Sequence, residues 1–181
     1  KPHAFAKMFT ETIYDNVLWL DASIWAIRDV KPIFDKIEQQ GYLLQSCASC
    51  KDPGNAQWWS VGDYTNDKTL SAYGLTRDDA MRLSMISSGV VGLSRKSAVA
   101  MEFLRRWQAA SAKGLFRGEW TNDTKSESTD PRCRGHRHDQ SAASIIATQL
   151  GMQQENAGPM QYAAPDASLP DNIILKACGG P

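Results

Sequence analysis

The stretch Val17-Leu18-Trp19-Leu20-Asp21 constrains the fold more than any other part of the chain. Four consecutive apolar residues are too few for a helix and rich in strand formers, so they read as a buried strand. The strand ends on a carboxylate. In open α/β sheets ligands bind beyond the C-terminal ends of the strands, which makes Asp21 a functional candidate by position as well as by chemistry. Ser23 follows two residues later and can face the same way, and a carboxylate with a second oxygen suits a hard divalent cation that shares its shell with phosphate. An aspartate that only caps a turn is the competing reading.

The segments after this strand alternate. Asp29-Val30-Lys31-Pro32 opens a helix with proline in its first turn, Ile33, Phe34 and Ile37 give it an apolar face, and Gly41 stops it. Tyr42 to Gln45 is a second strand. With a helix over His3 to Tyr14 ahead of the first strand, the order helix, strand, helix, strand predicts an α/β fold with a mostly parallel mixed sheet flanked by helices. Ile86 to Leu93 is a third strand whose Gly89 and Gly92 signal a bend, a bulge or close approach of a ligand to the backbone. Ser94 is expected to cap a long helix from Arg95 to Ala112, and Thr76-Arg77-Asp78-Asp79 has the form of a capping box. Met160 to Tyr162 and Asn172 to Leu175 read as short strands.

Two polar stretches interrupt this pattern. Ser46 to Asp67 holds the adjacent Trp58 and Trp59, which either cover the end of the core or form a platform for a base or a sugar ring. Leu115 to Arg134 is long for a structureless connection, and such loops are functional or mobile. Within it Phe116, Gly118, Glu119 and Trp120 are placed to close over a site. His136-Arg137-His138-Asp139-Gln140 then leads into the apolar helix Ser141 to Leu150. Backbone amides at a helix start attract anions, and capping by Asp139 accounts for one residue of this dense cluster but not for the other four.

Composition narrows the function. Lysine plus arginine and aspartate plus glutamate number 20 each, so no global field draws the chain to nucleic acid. No apolar run approaches the roughly 18 residues that a membrane helix needs, and no basic-then-apolar leader opens the chain. These features predict a soluble, cytoplasmic protein. The 181 residues suit a single domain. Cys47 and Cys50 form one C-x-x-C pair without a second, which favours reduced thiols over structural zinc.

Taken together, Val17-Leu18-Trp19-Leu20-Asp21-Ala22-Ser23, then Ser88-Gly89-Val90-Val91-Gly92-Leu93, then His136-Arg137-His138-Asp139-Gln140-Ser141 resemble, in that order, the elements of the GT-A glycosyltransferases, the nucleotide-diphospho-sugar transferase group. The resemblance spans residues 3 to 177 and implies a GT-A-like, Rossmann-like core. It also implies transfer of a sugar from a nucleotide-sugar donor to a carbohydrate or other hydroxyl acceptor. Asp21 and Ser23 would hold Mn2+ or Mg2+ against the donor diphosphate, with His136 or His138 as a further ligand. Asp139, with Gln140 beside it, would serve the chemistry, Asp139 either as general base near the acceptor hydroxyl or near the anomeric carbon in a retaining mechanism. Trp19, Ser88, Gly89, Glu119, Trp120 and Arg137 would bind substrate, Arg137 by balancing phosphate charge. The metal element reads Asp-Ala-Ser, one carboxylate short. Members of the group also carry a base-binding strand and loop ahead of it, where this chain, starting at Lys1, has a helix alone. The expectation is therefore a single GT-A-like domain, either a fragment of a longer chain or a diverged relative. The alternative is a non-catalytic nucleotide- or carbohydrate-binding domain with a degenerate metal site.

Overall fold

The computed structural model describes residues 1–47, 59–156 and 158–178. The elements follow in the order α1 (Pro2–Glu11), β1 (Asn16–Leu20), β2 (Ile24–Ala26), α2 (Lys31–Gln40), β3 (Tyr42–Ser46), α3 (Asp67–Ala72), α4 (Arg77–Met81), β4 (Ile86–Ser94), α5 (Ala98–Ala112), α6 (His138–Gln149), β5 (Met160–Tyr162) and β6 (Leu175–Ala177). Local signals place most of them. Pro32 lies in the first turn of α2, and Gly41 closes that helix with φ 86°, a conformation that glycine adopts without steric cost. Thr76 and Asp79 form the reciprocal capping box of α4. The cap of α5 is Ser97 rather than Ser94, because β4 runs on through Ser94.

The sheet arrangement corrects the expectation of a mostly parallel, GT-A-like core. Two small sheets are present among the described residues, one ordered β1-β4-β3 and one ordered β2-β6-β5. In the first, β4 lies between β1 and β3 and is antiparallel to both. In the second, β2 is antiparallel to β6 and β5 is parallel to it. The physical reason lies in the insertion. β1 and β3 point the same way, as a helical crossover between them requires, but β4 enters their shared edge from α4 with the opposite direction. Helix-strand alternation specifies a crossover and is silent on what is inserted into it.

The pleat of the first sheet divides the core. Val91, Leu93, Leu44 and Tyr42 pack with Phe5, Phe103, Trp107 and Ile146 of α1, α5 and α6. Val90 and Leu43 face the other way, onto Ile33 and Ile37 of α2 and Ile24, Met160 and Leu175 of the second sheet. This two-sided burial explains why β4, serines included, is buried along its whole length. Trp58 and Cys50 lie outside the described residues. No helix among the described residues is long and apolar enough to cross a membrane.

Candidate functional site

The C-terminal end of β1 delivers Asp21, and the start of α6 delivers Asp139. The Asp21 backbone N–H donates to the Gly89 carbonyl at 2.9 Å, and the Asp21 carbonyl accepts from Ile24 at 2.9 Å, so the turn into β2 is fixed on both sides. The indole N–H of Trp19 donates to Asp21 Oδ1 at 2.7 Å. A Cβ on Gly89 would lie 3.0 Å from Ile24 Cδ1 and 3.4 Å from Asp21 Oδ2, so a side chain there would crowd the carboxylate. In α6, the Asp139 carbonyl accepts from the Trp107 indole at 3.0 Å, which ties the first turn to α5.

Between the two carboxylates sits the ammonium of Lys1. Its Nζ lies 3.2 Å from Asp21 Oδ1 and 3.3 Å from Asp139 Oδ2, and it donates to Ser88 Oγ at 3.1 Å. The Lys1 and Asp139 side chains are 16% and 22% exposed and that of Asp21 38%, so the cluster is partly withdrawn from solvent and opens on the Asp21 side. Asp139 Oδ2 is buried and accepts no hydrogen bond; its contact with Lys1 is one of charge alone, outside hydrogen-bond geometry. Asp21, Asp139, Ser88, Gly89 and Trp19 are thus brought together, from β1, β4 and α6. Lys1 completes the group, and no sequence pattern marks a single lysine for such a place.

A second group forms around Arg137. Its guanidinium lies 4.1 Å from the ring centre of Trp120, 4.3 Å from Tyr64 and 5.3 Å from Trp59. It also donates to the Trp120 carbonyl at 3.3 Å. Burial pushes its pKa down from the ordinary arginine value. Trp120 itself is 60% exposed and meets His138 edge to face. His138 donates from Nε2 to the Gly118 carbonyl at 3.1 Å and adopts φ 49°, a left-handed backbone rare for a residue with a side chain. Glu119 is exposed, and its carbonyl accepts from the His136 amide at 2.7 Å. The loop folds back here because Gly135, at φ 150°, packs directly against the Trp120 carbonyl, where a Cβ has no room.

Three expected site residues lie apart from the carboxylate cluster. His136 is wholly buried; Nδ1 accepts from the Asn66 amide at 3.3 Å and Nε2 donates to the Leu115 carbonyl at 3.0 Å. Both nitrogens are used, so His136 has no lone pair for a metal. Desolvation pushes its pKa down to about 4, which keeps the ring neutral. Ser23 is exposed, and its carbonyl binds the Cys178 amide at 3.0 Å. Gln140 donates to the Ile86 carbonyl at 2.7 Å and to Cys47 Sγ at 3.0 Å, which joins α6 to β4.

The donor set therefore does not fit a resident Mn2+ or Mg2+. Among the described residues no three His, Cys, Asp or Glu side chains gather as a metal group. The two carboxylates that do meet are already neutralised in part by an ammonium. Two open grooves, one of about 420 Å3 beside Leu70 and Arg77 and one of about 460 Å3 lined by Lys68, Arg117 and Lys125 among others, include neither Asp21 nor Asp139. No family model matches the chain, and no curated protein matches it.

Proposed function

We propose that the protein transfers a glycosyl group from a nucleotide-diphosphate sugar to a hydroxyl acceptor, at the cluster formed by Asp21, Ser88, Lys1 and Asp139. The observation that carries this reading is the meeting of two carboxylates from opposite parts of the chain on one partly buried ammonium. It rests on the site and not on a fold, since one chemistry recurs on unrelated folds. The acceptor oxygen bonds to the anomeric carbon, the bond from that carbon to the diphosphate oxygen breaks, and the acceptor proton passes to the Asp139 carboxylate. Asp21, held by Trp19 and by the Gly89 carbonyl, keeps the ammonium in place. A reducing, cytoplasmic setting belongs to this reading, in keeping with the unbridged thiols of Cys133 and Cys178.

The test is turnover of a panel of nucleotide sugars, read as release of the nucleoside diphosphate. Asp139→Asn is expected to lower turnover by at least about 100-fold, the usual contribution of a general base. Unchanged turnover in both Asp139→Asn and Asp21→Asn overturns these roles. A second reading, a sugar-binding domain without turnover, is favoured by one observation: Trp120 offers an exposed ring beside Arg137 and His138, suited to the apolar face of a sugar. Calorimetry separates the two, since binding that is lost in Trp120→Ala with no turnover of any donor supports the second.

A further inference from the structure

We infer that the Lys1 ammonium is the resident cation of the Asp21–Asp139 pair and holds the place that a divalent ion would otherwise take. Two carboxylates aimed at one partly buried point repel each other, and a cation between them offsets that repulsion. Lysine supplies a compact charge with three donors. The separations fit that role: Nζ stands 3.2 Å and 3.3 Å from the two carboxylates and 3.1 Å from the Ser88 hydroxyl. A hard divalent ion binds oxygen at roughly 2.0–2.6 Å, so it and the ammonium cannot share the space.

The position of Lys1 is also held from behind. Its carbonyl accepts from the amides of Ala4 at 2.9 Å and Phe5 at 3.2 Å, and Phe5, 1% exposed, anchors the following helix in the core. The buried Oδ2 of Asp139, which accepts no hydrogen bond, is the atom left most in need of a cation when Lys1 is removed. Lys1 is therefore a positioning residue: it fixes both carboxylates and occupies their shared cation position.

The catalytic meaning of this inference rests on the transfer reading, but its test does not. Mn2+ is titrated by calorimetry into the whole chain at pH 7, into Lys1→Met, into Lys1→Arg and into the double variant Lys1→Met with Asp21→Asn, with thermal melting to establish that each is folded. Lys1→Met is expected to bind Mn2+ at least about tenfold more tightly than the unaltered chain, because a competing charge within hydrogen-bond reach is gone. Lys1→Arg is expected to bind like the unaltered chain, and the double variant is expected to lose the gain. Lys1→Gln replaces Lys1→Met if the latter does not fold. Equal Mn2+ affinity in the unaltered chain and the neutral variant, or a gain that survives Asp21→Asn, overturns the inference. Neither outcome touches the transfer reading, which is judged on turnover by Asp139→Asn.

Discussion

At the scale of single residues, His136 shows how burial decides chemistry. Its two ring nitrogens serve the Asn66 amide and the Leu115 carbonyl, and desolvation pushes its pKa down from 6.5 to about 4. Between those values the unfolded chain binds a proton that the native ring does not. Stability is therefore complete above pH 6.5 and falls as the pH drops towards 4. The loss over the whole window is on the order of 3 kcal/mol, and about 2 kcal/mol of it lies between pH 7 and pH 5. Urea unfolding at the two pH values measures it. His136→Gln is expected to flatten this part of the pH dependence. It is also expected to cost about 2 kcal/mol at pH 7, because two buried backbone partners lose their matched bonds. A pH dependence unchanged by the substitution would show that another group carries it. As a residue type in the sequence, His136 was indistinguishable from a ligand; only its two backbone partners remove it from that role.

At the scale of elements, β4 carries the largest burden, since it pairs with both neighbours and is buried on both faces. Gly92 marks where α2 comes closest. A Cβ there would overlap Ile37 of α2 and lie 3.1 Å from Leu43 Cβ of β3. Gly92→Ala is expected to destabilise the protein by roughly 1–3 kcal/mol through overpacking, read as a shift in urea midpoint with an unchanged slope. A neutral substitution would mean that α2 can move aside at little cost. The glycines of this strand pointed to a bend, a bulge or the close approach of a ligand. What comes close is the protein's own side chains: an isoleucine of α2 at Gly92, and Ile24 with the Asp21 carboxylate at Gly89. The start of α6 gives a similar lesson. The dense polar run before Ser141 was legible as a helix entry, yet its members part company. Asp139 joins the carboxylate cluster, Arg137 stacks on three rings, His136 is buried, and Gln140 bonds to β4.

At the scale of the whole molecule, the candidate site depends on how α1 is docked. Phe5 lies against Trp107 of α5 and Trp19 of β1, with ring centres 6.4 Å and 6.5 Å apart, and Lys1 reaches the carboxylates from the start of that helix. Phe5→Ala is expected to cost about 3–5 kcal/mol, as removal of a fully buried aromatic ring does. In the fraction that stays folded it is also expected to raise Mn2+ affinity in the same direction as Lys1→Met. Calorimetry on the folded variant checks this. Loss of stability without any gain in Mn2+ affinity would show that Lys1 keeps its place without the anchor.

The sequence by itself determined the local elements: the strand leading to Asp21, the proline-started helix α2, the capping box of α4, and the helix expected over Ser141 to Leu150, whose first turn in fact starts at His138. Each of these depends on neighbours a few residues away, so period, caps and turn residues suffice. Strand direction and the company each side chain keeps were decided only by the tertiary structure. The insertion of β4 between β1 and β3 reverses the expected sheet without altering one local signal. The meeting of Lys1, Asp21 and Asp139 joins residues from the two halves of the chain, and contacts of that range leave no periodic trace in a single sequence.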